Sequence, residues 1–132
     1  MIGPKRPKPS KAEEKRAYAA VTERDAGRCV RCGMSGLVER DHRQNRSQGG
    51  LTAPSNLQCL CPSCHRWKGS HPAAAVLEGF AVPGWARPEV WPAWRFDVGS
   101  WVLYLDEPDE DGKWWQTLKQ STADLLMNGG TA

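Results

Sequence analysis

The sequence lacks any long hydrophobic run. No apolar stretch in its 132 residues approaches the ~20 residues that a membrane-spanning helix needs. Residues 1–16 are basic and lack the apolar segment of a secretory signal. We therefore expect a protein that neither enters a membrane nor is secreted through an N-terminal signal peptide. The expected location is the cytoplasm.

The cysteine content also gives little support for disulfide bonds. Five cysteines are an odd number, and four of them form two C-x-x-C pairs, Cys29 with Cys32 and Cys61 with Cys64. In an intracellular chain such pairs favour metal binding, and four thiolates on two turns match the tetrahedral sulfur set of structural zinc. The alternative is four reduced, buried thiols. Cys59 is predicted to be a buried strand thiol, although it competes with Cys61 as a candidate ligand.

Charge is unevenly distributed, although the net charge is only +3. Residues 1–75 hold 14 Lys and Arg against 6 Asp and Glu, a net charge of +8, and residues 76–132 hold 4 against 9, a net charge of −5. A basic half is typical of a protein that binds a polyanion such as nucleic acid. The acidic half contains six of the seven tryptophans. We predict that it covers the core as a Trp-rich β-hairpin, with a surface for a protein partner as the alternative.

Local patterns divide the chain into three parts. Residues 1–9 form a Pro/Lys/Arg tail that we expect to be disordered, either as a solubilising terminus or as a basic arm along nucleic acid. Residues 10–80 are predicted to hold a helix from Ser10 to about Ala26, two short strands at 37–42 and 56–60, and helices at 62–69 and 72–78. Residues 81–132 form the acidic extension, with predicted strands at 101–105 and 114–118. The fold class is therefore α+β.

The segment between and beside the cysteine pairs carries residues that a closed zinc site does not need. In chain order these are Asp41-His42, Gly49-Gly50, Asn56-Leu57-Gln58, Leu60-Cys61 and Cys64-His65-x-x-Lys68. This pattern resembles the HNH endonuclease motif. Over residues 18–80 the chain is similar to the zinc-stapled branch of that family, which is common in tailed phages and mobile elements. The resemblance implies a small ββα-metal (His-Me finger) core that hydrolyses phosphodiester bonds of DNA.

The resemblance also implies a role for each residue of the motif. Asp41 and His65 would hold a catalytic Mg²⁺ or Mn²⁺, His42 would be the general base, and Asn56 would brace the loop and orient the His42 imidazole. Adjacent residues of a strand point to opposite faces, so Asp41 and His42 do not both bind one ion without a local distortion. A carboxylate and an imidazole suit a divalent ion that keeps open positions for phosphate and water.

Basic side chains surround this motif and suggest its partner. Arg43, Arg46, Arg66 and Lys68 are predicted to clamp the DNA backbone, with solvated surface charge as the alternative for each. The predicted partner is DNA, and phage DNA-packaging proteins are a second candidate; the compartment would be the host cytoplasm for a phage-encoded protein. The alternative function is a non-catalytic, zinc-dependent nucleic-acid-binding or DNA-packaging accessory protein.

Overall fold

A computed structural model describes residues 8–129, and it confirms the α+β class. Over that range the regular elements in chain order are α1 (Lys11–Arg24), β1 (Glu39–His42), β2 (Leu57–Leu60), α2 (Pro62–Ser70), α3 (Pro72–Glu78), β3 (Ala93–Arg95), β4 (Ser100–Tyr104), β5 (Trp115–Leu118) and α4 (Gln120–Met127). Of the predicted basic tail, residues 1–7 lie outside the described residues. No helix within residues 8–129 is both long and apolar enough to cross a membrane.

Helix α1 begins at the predicted place because Ser10 caps it. The N–H of Glu13 donates to Ser10 Oγ at 3.1 Å, and the N–H of Ser10 donates back to the Glu13 carboxylate at 3.3 Å. This reciprocal pair is a capping box, which satisfies two of the free N–H groups at a helix start. The buried side of the helix, with Ala17 and Val21, packs on Leu57 of β2. The helix thereby covers one face of the strand pair that carries the site.

Strands β1 and β2 form an antiparallel pair that sets the register of the site. Asp41 lies opposite Gln58, and His42 lies opposite Leu57. The long connection between the strands contains Gly50, where a Cβ atom would collide with the main-chain oxygen of Gln44. A side chain at that position would push the loop open, so glycine keeps the loop folded back on itself.

The acidic extension is larger than the predicted hairpin. The two predicted strands correspond to β4 and β5, but β3 pairs with the other edge of β4, giving the order β3-β4-β5, and α4 follows. The prediction missed β3 because it is only three residues long and directly follows Pro92. The N–H of Ser55 donates to the Asp106 carboxylate at 2.9 Å, which ties the extension to the loop before β2.

A buried ionic cluster joins the extension to the end of α1. Arg24 and Arg95 both donate to the carboxylate of Asp25, at 2.8 Å and 2.5 Å. Burial alone would raise the pKa of Asp25, but the two guanidinium groups outweigh it and lower that pKa below its usual value. The Arg24 guanidinium also lies 4.0 Å from the centre of the Tyr104 ring, as a cation–π contact. The carboxylate therefore stays ionised in the interior and holds the core and extension together.

Candidate functional site

Four cysteine thiols converge where two turns of the chain meet. The Sγ atoms of Cys29, Cys32, Cys61 and Cys64 all lie within 4.8 Å of one another. The Cys32 and Cys61 sulfurs are 3.7 Å apart. That separation is far longer than a disulfide bond of about 2.05 Å, and it matches the ~3.8 Å edge of a tetrahedron with Zn–S bonds of about 2.3 Å. The four thiols are positioned for a structural zinc site.

Local hydrogen bonds explain why the cysteines meet. In the first turn the N–H of Gly33 donates to Cys29 O at 2.9 Å, and the N–H of Val30 donates to Cys59 O at 2.9 Å, which attaches this turn to β2. In the second turn Cys61 is the N-cap of α2, and its Sγ accepts from the N–H of Cys64 at 3.4 Å. Cys59 is fully buried in β2 and is not one of the four clustered thiols.

The surroundings of the thiols favour a cation. Burial opposes ionisation of Cys29, but main-chain N–H groups around it lower the pKa of its thiol to about 7. Burial raises the pKa of the Cys64 thiol to about 12. The Arg31 guanidinium lies 3.5 Å from Cys64 Sγ and stacks 3.6 Å from the centre of the Trp67 ring. Four thiolates need more positive charge than one arginine provides, and a zinc ion would supply it.

A second cluster forms around Asp41 on β1. His65, in the first turn of α2, brings its Nε2 to 3.5 Å from Asp41 Oδ1. The other carboxylate oxygen, Oδ2, accepts from Gln58 Nε2 at 3.0 Å and from Lys68 Nζ at 2.5 Å. Lys68 Nζ also donates to His42 O at 2.8 Å. These bonds fix the carboxylate by one oxygen and leave Oδ1 facing the imidazole.

Asp41 and His65 line a cleft of about 390 Å³. Polar side chains of Asn45, Gln48 and Lys68 line the same cleft. Gln58, which supports Asp41, is fully buried, and its Oε1 has no hydrogen-bond partner within residues 8–129. The cleft therefore combines one available carboxylate oxygen, one imidazole nitrogen and several amide groups, which is a donor set that suits a hard divalent cation.

His42 lies outside the set of residues that line this cleft. Its Nε2 is 3.0 Å from Thr52 Oγ1, and the side chain is half-buried. Burial lowers the pKa of His42, with Arg46 and Lys68 acting in the same direction and Asp41 opposing them. The imidazole is therefore neutral at pH 7, which is the form that accepts a proton.

Asn56 braces the loop, as the resemblance implies, but its contacts do not extend to His42. Its Nδ2 donates to Gln44 O at 3.0 Å and to Leu51 O at 2.9 Å, and its Oδ1 accepts from the N–H of Gln44 at 2.8 Å. Within residues 8–129 the hydrogen bond of the His42 imidazole is made with the Thr52 hydroxyl instead. Asn56 holds the shape of the loop that carries Thr52, so it acts on His42 only through that loop.

The cysteines, Asp41, His42, Asn56 and His65 all fall inside one recognisable segment. Residues 29–71 match the family model described as HNH endonuclease. This segment, about a third of the chain, is similar to an HNH endonuclease domain, and we refer to it as the HNH domain. No curated protein and no solved structure matches the chain. The HNH domain indicates a nuclease-type function in general, and the four-cysteine cluster lies within it.

The basic residues of the HNH domain occupy different environments. Arg43 is buried, and its guanidinium donates to the main-chain oxygens of Gly79, Ser55, Pro88 and Trp91. The expectation that Arg43 clamps DNA is wrong, because burial and these bonds remove its guanidinium from any phosphate. Lys68 is largely enclosed by Asp41 and His42. Arg66 is exposed and Arg46 is half-buried, so these two still have access to solvent.

Sequence reasoning missed three residues that support the HNH site. Thr52 bonds to His42, Gln58 bonds to Asp41, and Glu39 Oε2 lies 2.8 Å from His65 Nδ1. Glu39 had a usable signal, because residues two apart on a strand share a face and Glu39 lies two before Asp41. Gln58 and Thr52 had none, since the strand register and the path of the loop decide what each side chain meets.

Proposed function

We propose that this chain is a metal-dependent DNA endonuclease of the HNH type. In this proposal Asp41 and His65 hold Mg²⁺ or Mn²⁺, and His42 is the general base. The observation that carries it is the pairing of Asp41 Oδ1 with His65 Nε2 at 3.5 Å in an open cleft. An oxygen and a nitrogen at this spacing suit two ligands of one ion, since metal–ligand distances near 2.1 Å place such atoms about 3 Å apart.

The number of protein ligands fits hydrolysis better than tight storage of a metal. Two ligands leave most positions of a six-coordinate ion for water and phosphate oxygens. A bound divalent ion would stabilise the negative charge that builds up on the phosphate during hydrolysis. Asp41 is held on Oδ2 by Gln58 and Lys68, so the ligand oxygen is oriented before the ion arrives. This preorganisation supports a catalytic role.

His42 is suited to remove a proton from the attacking water. Its pKa is lowered by burial, which keeps the imidazole neutral at pH 7. When Nε2–H donates to Thr52 Oγ1, the unprotonated nitrogen is Nδ1, which then accepts the proton of the water. Lys68 binds both the Asp41 carboxylate and the main-chain oxygen of His42, so it holds the ligand carboxylate against the backbone of the strand that carries the base.

Replacing Thr52 with valine is expected to slow cleavage by about tenfold, because the loss of one hydrogen bond of about 1.4 kcal/mol frees the His42 ring. Thr52→Ser keeps the hydroxyl and is expected to retain most of the activity. Single-turnover cleavage of plasmid DNA measures both rates. Equal rates for Thr52→Val and Thr52→Ser would show that this hydrogen bond does not orient the base.

The DNA-binding surface in this proposal is the basic part of the domain. Residues 1–75 carry a net charge of +8, and the polyanionic backbone of DNA is attracted to such a surface. Arg46 and Arg66 lie close to the motif in sequence and have access to solvent, and no side-chain hydrogen bond within residues 8–129 engages either guanidinium. Each guanidinium is therefore available to a phosphate.

Arg46→Ala and Arg66→Ala are each expected to weaken DNA binding equally for all DNA sequences, because one phosphate contact is lost. For the same reason the slope of the log binding constant against log salt concentration is expected to fall by about 1 in magnitude. Fluorescence anisotropy of a labelled duplex at several salt concentrations measures this slope. Arg87→Ala is the matched control, since Arg87 lies in the acidic half and pairs with Glu89. A slope unchanged by either test variant would mean that the arginine is ordinary surface charge.

A non-catalytic nucleic-acid-binding module is the second candidate, as a DNA-packaging accessory protein in a phage setting. The position of Lys68 favours it, because the ammonium group already neutralises Asp41 without a metal ion. Incubation of supercoiled plasmid with the protein and Mg²⁺ or Mn²⁺ separates the candidates. The enzyme converts the plasmid to nicked or linear DNA, whereas the module binds it without change.

A further inference from the structure

A carboxylate lies on the far side of the His65 ring from Asp41. Glu39 Oε2 is 2.8 Å from His65 Nδ1, and Asp41 Oδ1 is 3.5 Å from His65 Nε2. Both carboxylates come from β1, two residues apart, and therefore project from the same face of the strand. The imidazole is thus placed between two acidic groups, each facing a different ring nitrogen.

The 2.8 Å contact with Glu39 favours a proton on Nδ1 of His65. An ionised carboxylate offers only lone pairs, so a protonated Nδ1 is the form of the ring that it attracts. In the neutral ring Nε2 then has the free lone pair, and Nε2 is the nitrogen that faces Asp41. The arrangement presents a nitrogen lone pair and a carboxylate oxygen to the same point of the cleft.

We propose that Glu39 is a positioning residue, which holds His65 in the tautomer and ring orientation that a divalent cation requires. Metal-binding histidines generally donate their second N–H to a carboxylate or carbonyl, and loss of that partner typically reduces metal affinity or activity 10–100-fold. This inference rests on the proposed function, because it assigns Glu39 to the same cation site that Asp41 and His65 form.

A plain surface ion pair is the competing explanation, since both side chains are about half exposed and such pairs contribute little to stability. The two explanations differ in what they affect. If the pair were only a surface ion pair, removing Glu39 would leave the affinity for a cation unchanged. The positioning role requires that affinity to fall while the stability of the fold stays nearly unchanged.

The test measures Mn²⁺ affinity of the zinc-loaded, full-length protein by the loss of the free Mn²⁺ signal in electron paramagnetic resonance. Mn²⁺ prefers oxygen and nitrogen ligands, so it does not compete for the four thiolates. Glu39→Ala is expected to weaken Mn²⁺ binding 10–100-fold. Glu39→Gln keeps a hydrogen-bond acceptor for Nδ1 and is expected to lose clearly less than Glu39→Ala. Glu23→Ala, an exposed position on α1 with the same change of charge, is expected to bind like the wild type.

A second readout is the tautomer itself, from ¹⁵N chemical shifts of the His65 ring without Mn²⁺. The wild type is expected to carry the proton on Nδ1, and Glu39→Ala is expected to lose this preference. If Glu39→Ala binds Mn²⁺ with wild-type affinity, the positioning role is overturned. Equal losses of Mn²⁺ affinity in Glu39→Ala and Glu39→Gln would also overturn it, because they would assign the effect to charge alone.

Asp41→Asn distinguishes failure of this inference from failure of the proposed function. If Asp41→Asn weakens Mn²⁺ binding and Glu39→Ala does not, the cation site stands and the role of Glu39 is wrong. If Mn²⁺ binding is absent from the wild type or does not depend on Asp41, both the cation site and the role of Glu39 are overturned.

Discussion

His42→Ala is expected to lower the rate of DNA cleavage by about 10²–10⁴-fold, the usual contribution of a general base. The fold and the zinc content should not change, because His42 is half-buried and its ring makes one side-chain hydrogen bond, to Thr52, within residues 8–129. DNA affinity should also persist, because the neutral imidazole adds no charge for the phosphates to bind. Single-turnover conversion of supercoiled plasmid with Mn²⁺, compared with binding of the same DNA, separates the rate from the affinity.

His71→Ala is the matched control for this prediction. His71 joins α2 to α3, stacks on Trp67, and is exposed. Its loss removes an imidazole from the same domain without touching Asp41 or Thr52. Cleavage is expected to stay near the wild-type rate. If His42→Ala cuts as fast as His71→Ala, His42 is not the base and the activity belongs to other residues or to a contaminant.

Cys61→Ser is expected to unfold the domain or cause it to aggregate. Cys61 is a member of the thiol cluster and the N-cap of α2, the helix that carries Cys64 and His65. Structural zinc contributes about 10–16 kcal/mol of apparent binding free energy in small domains, which is comparable to or larger than the 5–15 kcal/mol by which most domains are stable. Loss of the ion should therefore remove the folded state. Circular dichroism and elemental analysis of the purified protein measure folding and zinc together.

Cys59→Ala is the control, because Cys59 is two residues away in the same buried segment but outside the cluster. It removes one sulfur from the core and is expected to cost about 1 kcal/mol, with one zinc ion still bound. A folded Cys61→Ser protein that retains zinc would contradict the four-cysteine assignment, and loss of zinc in Cys59→Ala would indicate that Cys59 is a ligand.

Patterns that act locally allowed much of the core to be predicted. Ser10 with Glu13 identified the start of α1, and Pro62 identified the start of α2, because capping and proline placement depend on a few adjacent residues. The cysteine cluster was predictable from spacing, since C-x-x-C places two sulfurs on one turn. These features need no knowledge of the rest of the fold.

Features that depend on distant contacts were not predictable. Arg43 looks like a DNA contact in the sequence because it follows Asp41-His42, but the extension folds over it and supplies carbonyl oxygens from Pro88 and Trp91. The burial of Arg43 thus depends on residues more than forty positions away. Strand β3 was missed for a similar reason, because three residues after a proline carry no strand signal until β4 pairs with them.

The hydrogen-bond partners of the site side chains depend on the same long-range geometry. Thr52 reaches His42 only because Asn56 folds the intervening loop back, and Gln58 reaches Asp41 only through the register of β1 and β2. Composition and spacing point to candidate residues for the chemistry. They do not identify the neighbours that orient those residues.

In the proposed mechanism Asp41 and His65 hold a divalent cation with which this chain cuts DNA. The most direct test is conversion of supercoiled plasmid by zinc-loaded wild-type protein and by Asp41→Asn, purified in parallel. Each protein is titrated with Mg²⁺ and with Mn²⁺ in a metal-depleted buffer. The buffer contains no chelator, so that the zinc remains bound. We expect nicked or linear product that rises with added metal in the wild type, and little or no product in Asp41→Asn at the same metal concentrations. Product that forms equally in both proteins, or none in the wild type at any metal concentration, would contradict it.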